Sequence, residues 1–163
     1  MFCIFKGKKQ MKLSKNFTLQ EFTKSQTALR KGLDNSMPEE HLEAAKLLAE
    51  HVLQPVREHF GPTTINSGYR GEALNKAVGG SPRSQHCKGQ AADIEAPGVS
   101  NYDVAKWIEE NCDFDQVLLE FYTSGIPDSG WVHVTYNKEG NRKKSLTATK
   151  VDGKTVYSLG LIE

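Results

Sequence analysis

The sequence predicts an α+β domain, a small and mostly antiparallel sheet with helices packed against it. Apolar residues recur at helical spacing through the first third of the chain, short β-prone runs fill its second half, and Asp152-Gly153 lies between two such runs as a hairpin turn would. At 163 residues the chain suits one domain with a real core, without an internal repeat or dividing linker. The boundaries expected are an extension over residues 1–10, disordered or left by a start-site ambiguity at Met11, and a single domain over 11–163.

Thr18 and Glu21 have capping-box spacing ahead of a short helix over 18–26, with Leu19 and Phe22 turned to the core. From 38 to 60, Leu42, Ala45, Leu48, Ala49, Val52, Leu53 and Val56 mark one face of the longest helix, stopped at Gly61 and bent at Pro55. A strand over 63–68, a helix over 72–78 and a Gly/Ser/Pro-rich loop over 79–89 follow. A strand over 91–95 leads to a helix capped by Ser100 and Asp103 and running to about Asn111. Paired strands are expected over 114–122 and 131–136, then the closing hairpin.

Composition excludes several classes. Twenty-one Lys and Arg against 20 Asp and Glu give no global field for nucleic acid or an anionic membrane. No apolar run approaches the ~18 residues of a membrane span, and the opening MFCIFKGKKQ is too short of apolar residues for a signal-peptide core. Synthesis in the cytoplasm without a signal peptide is the expectation. Cys3, Cys87 and Cys112, with no CxxC spacing, read as reduced thiols rather than a disulfide framework or a cysteine zinc site. His41, His51 and His59 on the long helix read as solvated residues.

The stretch from Ser84 to Asp93 concentrates the chemistry. His86 and Asp93 could bind one metal only if the chain folds back between them, which Gly89 permits. His133, on the same strand face as Trp131, is the third candidate. Two imidazoles and a carboxylate leave a fourth zinc position open to water, as in catalytic rather than structural sites. Taken alone, a loop histidine and a strand-end aspartate are also ordinary structural residues.

The pattern Ser-x-His-x-x-Gly-x-Ala-x-Asp from Ser84 to Asp93, followed by Trp-x-His at 131–133, resembles the signature of zinc D-Ala-D-Ala carboxypeptidases and related peptidoglycan endopeptidases, phage endolysins included. Ser67-Gly68-Tyr69-Arg70, Asn75 and Gly80-Ser81 extend the resemblance, which covers about residues 17–136. It implies a hedgehog/DD-peptidase-like fold and one Zn2+ per chain on His86, Asp93 and His133. Arg70 would grip a substrate carboxylate or share oxyanion charge, Ser84 would contact substrate or brace its loop, and Tyr69 would pack.

The chain departs from some relatives at Gly130, where those carry an acidic residue, and at Trp131, where certain of them carry a further histidine. The general base must then come from elsewhere, and Glu120 is preferred to Asp128. Phe114-Asp115-Gln116-Val117-Leu118-Leu119-Glu120 resembles the strand that carries the active-site glutamate in hedgehog-like relatives, whereas a loop aspartate commonly serves local backbone bonds.

The implied activity is zinc-dependent hydrolysis of peptidoglycan stem peptides or other D-amino-acid peptides by a monomer, as carboxypeptidase or endopeptidase. Reaching the periplasm or wall would require phage-type release or carriage in a phage particle. The alternatives are a non-catalytic zinc-containing binding module of the hedgehog-like type and a cytoplasmic D-Ala-D-Ala dipeptidase.

Overall fold

The computed structural model describes residues 10–163. All of the expected extension except its last residue lies outside them, as does Cys3. Among the described residues, six strands form one sheet in the order β1-β2-β4-β3-β5-β6, built from β1 (Thr64–Ser67), β2 (Ala91–Glu95), β3 (Gln116–Glu120), β4 (Trp131–Thr135), β5 (Lys144–Val151) and β6 (Lys154–Leu159). Every pairing is antiparallel except β3 with β5. The α+β class and the mostly antiparallel sheet agree with the sequence expectation.

One face of the sheet makes the main core. Ala92 and Ile94 of β2, Val117 and Leu119 of β3, and Val132 and Val134 of β4 meet the apolar stripe of the long helix, Phe22, and Val104, Ala105 and Ile108 of a later helix. Strand alternation therefore turns Asp93, Leu118, Glu120, Trp131 and His133 to the opposite face.

The opening helix is shorter than expected. It splits into α1 (Leu19–Thr23) and α2 (Gln26–Lys31), because Ser25 is extended and its side chain accepts the Ala28 N–H, starting a second helix. The long helix contains α3 (Leu42–Leu48), a π-helical turn (Ala49–Leu53) and α4 (Gln54–Phe60). At the turn's end the Gln54 N–H bonds the Ala49 carbonyl, five residues back, immediately before Pro55. A wider turn here accompanies the proline's missing N–H.

The helices α5 (Glu72–Ala77) and α6 (Asn101–Asn111) follow, the latter capped by Ser100. At the hairpin turn both Asp152 and Gly153 have positive φ, as a two-residue turn between twisted strands requires. No helix among the described residues is long and apolar enough to cross a membrane. Cys87 and Cys112 are free thiols, and burial pushes Cys112 up to about 12, which keeps it protonated.

Three histidines correct the reading that they are simply solvated. His41 and His51 are half-buried, and His51 stacks on Tyr136 with ring centroids 4.6 Å apart. His59, although exposed, stacks on Trp107 at 4.6 Å. A helix surface offers flat aromatic neighbours that an imidazole covers with its apolar face.

Candidate metal centre

Register brings the centre together. Asp93 on β2 lies directly opposite His133 on β4, while Ser67 on β1 lies opposite Asp93. His86 arrives from outside the sheet on a 3₁₀ turn (Gln85–Lys88) within the expected loop. Ser84 caps this turn by accepting the His86 N–H at 3.2 Å, so its hydroxyl braces the loop. Gly89, at φ +70°, then reverses the chain into β2, allowing residues 86 and 93 to converge.

His86 is 2% exposed, and its Nδ1 donates to the Gly68 carbonyl at 2.7 Å in the tautomer that this acceptor selects. Its Nε2 is left facing Asp93 Oδ2 at 3.4 Å. His133 Nδ1 lies 2.9 Å from Asp93 Oδ1. One donor atom from each of the three residues lies within 4.8 Å of the others. Zinc bonds of ~2 Å to a tetrahedral ion separate ligand atoms by about 3.3 Å, so the cluster needs only small adjustments to hold one. Burial lowers the His86 pKa and so favours the neutral imidazole a metal requires. Burial pushes Asp93 up, yet the hydrogen bond from His133 and the adjoining His86 ring outweigh it and hold the carboxyl well below its usual range. The donor set, its tautomer and its ionisation fit a divalent zinc ion.

Glu120 ends β3 on this same face, opposite Trp131 and therefore one step along the sheet from His133. Burial raises its pKa, Asp93 adds to the rise, and His133 and Arg70 oppose it. It is thus a half-buried carboxylate under the influence of the cluster, the environment that suits a proton carrier. Asp128 is exposed and lines a shallow cleft of about 160 Å³ with Asn66, Glu95 and Asn101.

Arg70 is tied to the loop through its backbone N–H, which donates to the His86 carbonyl at 3.1 Å. Its side-chain Nε is buried without a hydrogen-bond partner, and so is Trp131 Nε1. Buried donors without acceptors are uncommon enough to need an explanation. A cleft of about 410 Å³ opens beside Arg70, lined also by Ser67, Tyr69 and Leu74.

Gly130 owes its identity to the backbone. Its φ is +62°, and a Cβ there would fall 2.0 Å from the Glu120 carbonyl oxygen. An acidic side chain cannot occupy this position without displacing the end of β3.

Two residues of the surroundings escaped sequence reasoning. Glu95 shares the Asp93 face, but Asn66 and Asn101 donate to its carboxylate at 2.7 and 3.1 Å and occupy it structurally. Asp115 is a buried carboxylate held in two places by Arg142, at 3.0 and 2.9 Å, and reached by Gln85 at 3.1 Å. It therefore ties the start of the His86 turn to β3. The only signal for it was its place in the Phe114–Glu120 run.

Burial works against the charged Asp115, but its bonds to Arg142 and Gln85 prevail and lower the pKa to about 2. A folded-state value below the usual 3.8 contributes stability that is complete above that value and is lost as pH falls through about 2. The contribution is on the order of 2 kcal/mol. Urea unfolding between about pH 5 and about pH 2 should show wild type losing more stability than Asp115→Asn; parallel curves would contradict this role.

The clustered His-Asp-His donor set on this sheet defines a candidate metal-binding centre. The model of the Peptidase M15 family matches residues 15–135, most of the chain and all three cluster residues, and the protein belongs to that family. The family supports zinc metallopeptidase chemistry. Comparison with curated proteins found no match.

Proposed function

We propose that the protein hydrolyses amide bonds in the D-amino-acid-containing stem peptides of bacterial peptidoglycan, using one zinc ion held by His86, Asp93 and His133. The carrying observation is the convergence of these three donors beside Glu120 on the sheet face opposite the main core. Zinc there supplies Lewis acidity toward the scissile carbonyl and acidifies water.

The chain's own residues do the rest. Glu120 takes the proton from the attacking water and returns it to the leaving amine nitrogen, completing hydrolysis with no other reagent. Arg70, anchored on the loop that carries His86, presents its guanidinium to a substrate carboxylate or to the oxyanion. Gly68 and Ser84 keep His86 oriented.

Arg70→Lys should fold and bind zinc yet lose about tenfold or more in kcat/KM, because an ammonium cannot reproduce a two-point guanidinium contact. Steady-state kinetics on a peptide ending in D-Ala-D-Ala, with zinc content measured in parallel, checks this. Unchanged kcat/KM would reduce Arg70 to a surface charge.

Incubating intact sacculi and free D-Ala-D-Ala separately with zinc-loaded protein tests the substrate class. Release of wall peptides from sacculi is expected. Turnover of the dipeptide alone would instead indicate a dipeptidase, and zinc binding without turnover of either a binding module.

A further inference from the structure

We propose that the β5–β6 hairpin extends the catalytic face as a docking platform for the carboxylate-bearing stem peptide of a wall fragment, and so selects long wall peptides over a free dipeptide. The proposal rests on the peptidase reading above. The hairpin lies beyond residues 15–135, and none of the site residues comes from it.

Its register is what connects it to the site. His133 pairs with Leu118, Leu118 with Leu146, and Leu146 with Leu159, so the four residues form one row across four strands on the cluster-bearing face. The neighbouring row runs Trp131, Glu120, Ala148 and Tyr157. Leu118 and Ala148 are buried but stand outside the main core, consistent with this opposite face. At the outer end Tyr157 is 62% and Leu159 79% exposed, an unusual cost for two large apolar side chains side by side on an edge strand.

Three strand spacings of ~4.8 Å place Leu159 about 14 Å from His133, the reach of about four extended peptide residues. A substrate with its scissile bond at the cluster and its chain laid across the strands would meet Tyr157 and Leu159 with its far end, whereas a dipeptide would not. Charge favours the same occupant. Of the three lysines in residues 144–159, Lys144 and Lys150 alternate onto the platform face, Lys150 with its Nζ 5.3 Å from the Phe121 ring centre, while Lys154 lies on the other face and Asp152 in the turn is the segment's single acid. Free carboxylates on the stem peptide complement these cations.

The test is Tyr157→Ala/Leu159→Ser, whose positions are exposed enough to spare the fold, checked by circular dichroism. Calorimetric titration of zinc-free protein with a soluble pentapeptide muropeptide should show about tenfold or more weaker binding in the variant. On zinc-loaded protein, kcat/KM should fall by a similar factor for the muropeptide and stay unchanged for D-Ala-D-Ala. Equal affinities, absent binding to the wild type, or equal losses on both substrates would overturn the platform. A wild-type dimer lost in the variant by sedimentation would also overturn it, making the face a self-contact. Hydrolysis with unchanged binding would sink the platform alone, while variant-sensitive binding without hydrolysis of any wall peptide would sink the peptidase reading and leave the platform standing.

Discussion

Glu120→Gln is expected to keep the fold and its zinc and to lose ~100-fold or more in kcat, the usual consequence of removing a general base. Glutamine preserves the shape and burial of the side chain at the end of β3 while abolishing its capacity to take a proton. The position is rigid: Glu120 is paired to Trp131 on one side and Ala148 on the other, and Gly130 packs against its carbonyl. Asp128→Asn should cost far less, since that aspartate sits in an exposed turn-rich loop. Single-turnover kinetics with zinc content measured on the same samples decides between them. The reverse order of damage would move the base to Asp128, and wild-type rates in both variants would reject the mechanism.

His86→Ala should weaken zinc binding by about 100-fold or more, because it removes one of three donors and the only one whose tautomer is set by a backbone carbonyl. Wild type should retain one zinc per chain after dialysis, whereas the variant should retain almost none. Alanine at His51 or His59 should leave zinc unchanged, since these rings stack on Tyr136 and Trp107. His86→Gln serves as a second variant with less loss of packing volume at this buried position. Full occupancy in both His86 variants would remove His86 from the centre.

The readable parts of this fold were those encoded locally. Leu42 to Val56 repeat at helical spacing over enough turns to specify a buried stripe, and the Asp152-Gly153 pair specifies its turn through backbone conformation alone. The break at Ser25 depended on whether a serine hydroxyl caps a new helix or the old one continues, a balance near 1 kcal/mol. Parallel pairing of β3 with β5 is a choice among strand partners made by tertiary packing, and no pattern within either strand encodes it.

The candidate site divides in the same way. The spacing from His86 to Asp93 permitted a shared metal without demanding one, and resemblance supplied the rest. That Glu120 would face the cluster followed from strand alternation only once the register with His133 was known. The Asp115–Arg142 pair joins residues 27 positions apart and so left no local trace. Gly130, which reads as a missing acid in sequence, is a steric requirement of the β3–β4 approach.

The most direct test of zinc-dependent wall-peptide hydrolysis is mass spectrometry of purified muropeptides after incubation with zinc-loaded protein, zinc-stripped protein and zinc-loaded Glu120→Gln. Product masses shifted by hydrolysis at a bond next to a D-amino acid are expected with zinc-loaded wild type, none when the metal is stripped, and at most traces with the variant. Intact muropeptides after prolonged incubation with the zinc-loaded wild type, or equal cleavage in all three samples, would contradict zinc-dependent wall-peptide hydrolysis.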